Sequence, residues 1–258
     1  MSNTKIVFFD IDGTLIKPQT MDMSLKTLEA LQKLRANGIK ICVATGRSPM
    51  GLPKFEEIEF DAYLTYNGSY CYTQDTTIFC NSLEKEDVKQ ILANAEKMNK
   101  AVIVAIRSDL LTNGFDDILE PFMEVENMQM RVSENFEEWK DDEVFQVMLA
   151  CCPDEYDAIT ENVKHAKIVT WWPKVINMIP LSGGKGIGID HVLEYYGFDK
   201  SQALAFGDGN NDIEMLQAVG TGVAMGNAAE DLKAIADDIC KDVAEDGVYH
   251  YCLEHGMI

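Results

Sequence analysis

Five short apolar runs in this chain show no two-residue alternation: Ile6 to Phe9, Ile39 to Val43, Ala62 to Tyr66, Leu204 to Phe206 and Gly222 to Met225. A strand with one face in water alternates apolar and polar residues, so runs without that alternation suit strands buried on both faces. Each run is followed by small or polar residues, and helix-period stretches lie between the runs. Ser24 to Ala36 is such a stretch, with Leu25, Leu28, Leu31 and Leu34 assigned to one side and Asn37-Gly38 as its stop signal. Strands alternating with helices predict an α/β fold with an open parallel sheet, where ligands collect outside the carboxyl ends of the strands.

Between about Leu83 and Ser182 the order changes. The pattern predicts a helix over Glu84 to Met98, a strand over Val102 to Ile106, an acidic irregular stretch and a strand over Val144 to Cys151. A helix over Asp154 to Val163 follows, then strands Lys167 to Trp172 and Val175 to Ile179 joined around Pro173. Hairpin-like pairing of this kind predicts an antiparallel α+β domain inserted into the parallel one. The expected boundaries are a core over 1–81 and 183–258 and an insertion over 82–182, with Asn81-Ser82 and Ser182-Gly183-Gly184 as hinges. The acidic "SENFEEWKDDE" reads as a solvated connector, and Trp171 and Trp172 should point to opposite faces of their strand.

A formal net charge of −21 excludes a broad nucleic-acid surface or an anionic-membrane patch, since either needs clustered Lys and Arg. The partner expected is a small molecule. Seven scattered cysteines form no Cys-x-x-Cys pair and read as reduced, buried thiols. The amino-terminal run is short and interrupted by acids, unlike a signal peptide or membrane span, so the expected setting is the cytoplasm.

Chemistry gathers at the strand ends. In "FFDIDGTL" Asp10 and Asp12 close the first run, and Gly13 invites a turn that lets both carboxylates face one small volume. Either this is a turn with a helix cap, or it is an acid pair that a divalent cation holds together. Mg2+ favours such hard oxygen ligands. "GDGNND", Gly207 to Asp212, ends another run and supplies Asp208 and Asp212. It imitates a calcium loop but carries Ile213 where Gly is needed and Val219 where Glu is needed, so it reads as a second acidic strand end. Thr45-Gly46-Arg47 ends the second run and can cradle an anion, or Arg47 can be a surface cation. "SGGKGIG" sets Lys185 at a helix start, where N–H groups and an ammonium reach a phosphate, without the spacing of a Walker loop or a dinucleotide fingerprint.

In this order, Asp10-x-Asp12-Gly-Thr14, Thr45-Gly-Arg, Lys185 and Gly207-Asp208-x-x-Asn211-Asp212 resemble the four motifs of the haloacid dehalogenase-like hydrolases. The insertion between the second and third motifs resembles the α/β cap of the Cof-type sugar-phosphatase branch. The resemblance implies a Rossmann-like core with a cap and a Mg2+-dependent phosphatase of small phosphorylated metabolites. It assigns Asp10 as nucleophile and Asp12 as acid and base, with Thr14 orienting Asp12. Thr45 and Lys185 hold the phosphoryl oxygens, and Asp10, Asp208 and the Asp12 carbonyl ligate the metal. Asn211 is implied as a phosphate contact, and Asp212 as a ligand or the support of one. Asn67-Gly68 sits where the family contacts substrate, although a tight turn explains it equally. The same core serves phosphomutases, and a non-catalytic ligand sensor on it would be expected to lack Asp10 or Asp12. In the insertion, Arg107 reads as a surface cation or a leaving-group contact, and His165 as a polar strand-end residue.

Overall fold

The computed structural model describes residues 3–17, 22–121, 130–133, 136, 139, 142–172 and 174–258, and for Trp171 and Trp172 the backbone alone. The expected facing of those two rings, and part of the acidic stretch, therefore lie outside the described residues. The first elements are β1 (Ile6–Phe9), α1 (Leu25–Ala36), β2 (Lys40–Ala44), β3 (Ala62–Thr65), β4 (Tyr70–Tyr72) and β5 (Thr77–Cys80). Then come α2 (Lys85–Lys97), β6 (Val102–Ile106), β7 (Asp109–Thr112), β8 (Arg131–Val132), β9 (Val144–Ala150), α3 (Tyr156–Ile159), β10 (Ala166–Trp172) and β11 (Val175–Pro180). The chain ends with α4 (Lys185–Tyr196), β12 (Ala203–Gly207), α5 (Ile213–Gln217), β13 (Thr221–Ala224), α6 (Glu230–Ile235), β14 (Asp238–Ile239) and α7 (Gly247–Glu254). Contacts divide it into two units, Met1–Gly46 with Pro53–Cys80 and Gly184–Ile258, and Arg47–Leu52 with Asn81–Gly183.

The first unit holds an eight-stranded sheet in the order β14-β13-β12-β1-β2-β3-β4-β5. It is parallel from β14 to β3, and the antiparallel pairs β3-β4 and β4-β5 extend one edge. All four residues of β1 are fully buried, as the unbroken run predicts, and each such side chain contributes about 1.5 to 3 kcal/mol. The chain passes from β1 to β2 and β3 on one side, and returns to β12 and β13 on the other. The β1/β12 boundary is thus where the order reverses, the place where α/β sheets bind ligands. Helix α1 starts at Ser24, whose Oγ accepts the Thr27 N–H at 3.0 Å. Its leucines do not share a face. Each i,i+3 step falls 60° short of a full turn, so Leu34 is buried while Leu25, nine residues earlier, is 83% exposed.

The second unit holds a six-stranded sheet, β10-β11-β9-β6-β7-β8, antiparallel except for the β7-β8 pair. Val88 and Ile91 of α2 pack with Val104, Val147, Leu149 and Ile176 in its core. Phe136 and Trp139 of the acidic stretch join that core, so it is not only a solvated connector: its charges flank two buried aromatics. The helix expected over Asp154 to Val163 is a 3-10 turn over Pro153–Glu155 followed by the single turn α3. Asn94 of α2 stops it. Its Nδ2 donates to the carbonyls of Ile159 (3.0 Å) and Glu161 (2.8 Å), and Asn162 takes a left-handed φ of 59°. Arg107 is half exposed and pairs with Glu143, while the His165 N–H donates to Asp87 Oδ2 at 2.6 Å just before β10. Across the two linkers, Asn81 Nδ2 donates to Ser182 Oγ at 3.3 Å. All seven cysteines are free.

Candidate active site

Strand β1 delivers Asp10 to the sheet end, its N–H still bonded to the Phe206 carbonyl of β12 at 3.0 Å. Behind it Phe9 and Phe206 stack at 5.4 Å. The chain then turns sharply: Leu15 and Ile16 donate to the Ile11 carbonyl, and the Gly13 N–H donates to the Ile16 carbonyl at 2.9 Å. Because peptide N–H and C=O point opposite ways, the Asp12 carbonyl faces away from Ile16. Gly13 has φ +83°, and a Cβ there would lie 2.1 Å from Asp208 Oδ2. Only glycine lets this loop touch the end of β12.

Lys185, the first residue of α4, is buried, with Nζ 2.6 Å from Asp10 Oδ1 and 2.5 Å from Asp212 Oδ1. Asp212 Oδ2 accepts the N–H groups of Asp208 (2.9 Å) and Gly209 (3.0 Å). Both Asp212 oxygens are therefore engaged by donors. The Thr14 hydroxyl, expected to orient Asp12, points at Asp208 Oδ1 at 3.5 Å, the outer edge of hydrogen-bond range. Thr45 is buried after β2, with its N–H on the Leu64 carbonyl and its carbonyl accepting the Asn67 N–H; Gly46 follows in a bend. Asn67 is buried, and its Oδ1 accepts from Asn211 Nδ2 at 3.1 Å, so these two amides meet each other. Arg47 is not a surface cation: it is 2% exposed, with Nη1 on the Gly51 carbonyl at 3.0 Å.

Four carboxylates, of Asp10, Asp12, Asp208 and Asp212, here interact with one another and with a single ammonium. Burial pushes the Asp10 carboxyl up to about 7, with Lys185 opposing and Asp212 and Asp12 adding to the rise. Burial likewise pushes Asp208 up to about 9, with Asp10 and Asp212 adding. Burial alone would lower the Lys185 ammonium, but the two aspartates on it hold it raised. Ligand atoms of Asp10, Asp208 and Asp212 lie within 4.8 Å of one another. Asp10 and Asp208, whose charge burial and neighbouring acids disfavour, fit a hard divalent cation, which relieves both their repulsion and their lost hydration.

One polar residue that sequence reasoning passed over touches this cluster. Asn227 Nδ2 donates to the Gly13 carbonyl at 2.8 Å and to Asp208 Oδ2 at 3.3 Å. The signal that could have found it is its place just past the β13 run "GVAM", a polar residue beyond the carboxyl end of a parallel strand. Among the described residues no helix is long and apolar enough to cross a membrane.

A family model described as haloacid dehalogenase-like hydrolase matches residues 7–252. The 5-amino-6-(5-phospho-D-ribitylamino)uracil phosphatase YitU of Bacillus subtilis is 28% identical over 97% of both chains. The pyridoxal phosphate phosphatase YbhA of Escherichia coli is 25% identical over 98% of both. The solved structure of BT4131, a sugar phosphatase of HAD subclass IIB, superposes with a TM-score of 0.91 at 31% identity, covering 99% of this chain and all of that one.

Proposed function

The chain belongs to the haloacid dehalogenase-like hydrolases, and within that family we propose that it is a Mg2+-dependent, cytoplasmic phosphatase of small phosphomonoesters, chiefly sugar phosphates, working through an aspartyl-phosphate. The observation that carries this reading is the buried Asp10–Lys185–Asp212 chain at the β1/β12 switch point, with Asp208 beside it. A buried acid held by a lysine is a positioned nucleophile, and the acids around it match a cation that phosphoryl transfer needs.

Asp10, Asp208 and the Asp12 backbone carbonyl would hold the metal. When bound, Mg2+ neutralises these carboxylates and a phosphate oxygen, so that the two anions can meet. An Asp10 oxygen then attacks phosphorus in line, forming the Asp10–phosphorus bond as the alkoxide leaves. Asp12 protonates the alkoxide and, as carboxylate, takes a proton from the water that cleaves the acyl phosphate, regenerating Asp10. Lys185 has three donors, two of them on Asp10 and Asp212, and the third serves a phosphoryl oxygen. Thr45, with the Gly46 backbone, binds the same group. Asp212, with both oxygens on N–H donors, acts as the support of Lys185 and the 208–209 backbone rather than as a metal ligand. Thr14 steadies Asp208, and the Asn67–Asn211 pair presents one amide edge to the phosphate.

The relatives' names span a sugar phosphatase, a pyridoxal phosphate phosphatase and a ribitylaminouracil phosphatase, so the test is a phosphate-release screen. Sugar phosphates, pyridoxal phosphate, nucleotides and flavin mononucleotide are offered with and without Mg2+. Release from a sugar phosphate only when Mg2+ is present is the expected result. Absence of Mg2+-dependent release from every substrate would sink the proposal.

A further inference from the structure

We propose that Asn227 is a positioning residue that fixes the Asp208 carboxylate against the Asp12–Gly13 turn and so sets the Mg2+ affinity of the site; this rests on the metal reading above. Three hydrogen bonds define the side chain. Oδ1 accepts the Val243 N–H at 2.9 Å, while Nδ2 donates to the Gly13 carbonyl at 2.8 Å and to Asp208 Oδ2 at 3.3 Å. The amide could in principle be turned over, but a backbone N–H can only donate and a carbonyl can only accept, so the Val243 and Gly13 contacts fix its orientation.

The surrounding backbone serves the same junction. The Met225 N–H bonds to the Gly207 carbonyl and the Ala229 N–H to the Asp208 carbonyl, each at 2.9 Å, so residues 225–229 strap the end of β12. The Gly226 N–H and the Lys241 carbonyl, 3.1 Å apart, tie the strap to the segment that carries Val243. Asn227 thus joins three chain segments, and two of its three bonds end on the turn after Asp10 and on Asp208. Helix capping does not account for it, because α6 is capped at Ala229 without a side-chain bond.

The physical need is plain. Asp208 is a partly buried acid whose charge the neighbouring Asp10 and Asp212 disfavour, and a donor on Oδ2 holds its carboxylate in one orientation against them. Asn227 supplies that donor while carrying no charge, and also holds the Gly13 carbonyl, so both sides of the junction keep one register before the cation arrives. A group that orients a metal-binding carboxylate in this way changes metal affinity by about 10- to 100-fold when removed. The solvent exposure of Asn227 places the expected effect at the lower end.

The test titrates Mg2+ alone into the full chain by calorimetry, in wild type and Asn227→Ala, and follows the Mg2+-induced rise in Tm. The variant should bind Mg2+ about tenfold more weakly and show a smaller rise in Tm. In turnover, the loss should fall on the Mg2+ activation constant more than on kcat at saturating Mg2+. Unchanged Mg2+ affinity in a folded variant overturns the proposal, as does a loss confined to kcat, which would mark direct contact with substrate. If Asn227→Ala does not fold, Asn227→Ser, too short to reach either acceptor, is held to the same outcomes. A wild-type chain that binds no Mg2+ defeats the metal reading itself, whereas equal binding by wild type and variant defeats only the role of Asn227.

Discussion

Lys185 Nζ lies 2.5 Å from Asp212 Oδ1, and neither side chain exposes any surface to solvent. Asp212 spends its other oxygen on the Asp208 and Gly209 N–H groups, so one carboxylate fixes both the lysine and the loop that presents Asp208. Asp212→Asn keeps the shape and removes the charge, leaving a buried ammonium with Asp10 as its remaining anionic partner. Breaking a buried pair from one side costs about 3 to 5 kcal/mol, read by urea unfolding of the metal-free protein. Phosphate release should fall by about 100-fold as Lys185 loses its aim. Wild-type stability together with wild-type turnover would show that Asp212 supports neither.

The raised carboxyls of Asp10 and Asp208, at about 7 and about 9, make a pH prediction whose sign is fixed. The folded protein keeps protons that the unfolded chain, with ordinary carboxylates, has already released. The stabilisation is complete below the ordinary carboxylate range and is lost as pH rises through the folded values. Tm in EDTA should therefore decline between about pH 6 and about pH 9. The groups facing this pair are Asp12, Asp212 and Lys185, and Lys185 stays charged throughout because its own shift is upward. Saturating Mg2+ should flatten the decline. Equal slopes with and without Mg2+ would mean that these two acids are not where the cation binds.

The core strands were legible because burial on both faces leaves a mostly apolar run without alternation, and β1, β2, β3, β12 and β13 lie within a residue or two of their predicted limits. Asp10, Asp208 and Lys185 were legible as chemical types at strand and helix ends, and the fold brings all three together. What failed was decided by tertiary contacts. Nothing near Asp154 reveals that Asn94, some sixty residues earlier, takes the Ile159 and Glu161 carbonyls and halts the helix. The charges of "SENFEEWKDDE" hide Phe136 and Trp139, whose burial depends on α2 and the sheet being present. Strand β4 and the edge strand β5 beside it are short and partly exposed, so they lack the run that marked the central ones. Asn227 resembles any polar turn residue until its partners at Gly13 and Asp208 are in place.

Asp12 is assigned two roles, and one substitution separates them. Its side chain is partly buried, while its carbonyl direction is set by the Gly13 N–H bond to Ile16, which does not involve the carboxylate. Asp12→Asn should therefore keep Mg2+ binding by calorimetry and lose turnover, by about 100- to 10,000-fold for a missing general acid and base. Asp10→Asn should retain the fold yet take up no beryllofluoride, since no carboxylate is left to bond it. Phosphatase activity surviving in Asp12→Asn would refute the proton-transfer role.

Gly68 gives a sharper test of how Lys185 is placed. Tyr66, Asn67 and Gly68 have φ of 51°, 53° and 80°, a left-handed turn closed by the Gly68 N–H on the Thr65 carbonyl and the Ser69 N–H on the Tyr66 carbonyl. A Cβ on Gly68 would lie 2.5 Å from the Gly184 carbonyl oxygen, in the residue before Lys185. Gly38, at the end of α1, has nearly the same φ of 78° and nothing within 4 Å of its added Cβ. Both alanine substitutions carry the left-handed backbone strain, about 1 to 2 kcal/mol. Only Gly68→Ala must also push back the start of α4, and with it the ammonium that holds Asp10. Gly38→Ala should lower unfolding free energy and leave kcat alone, whereas Gly68→Ala should cost more stability and reduce kcat. Equal kcat in the two variants would show that the turn after β3 does not govern the placement of Lys185.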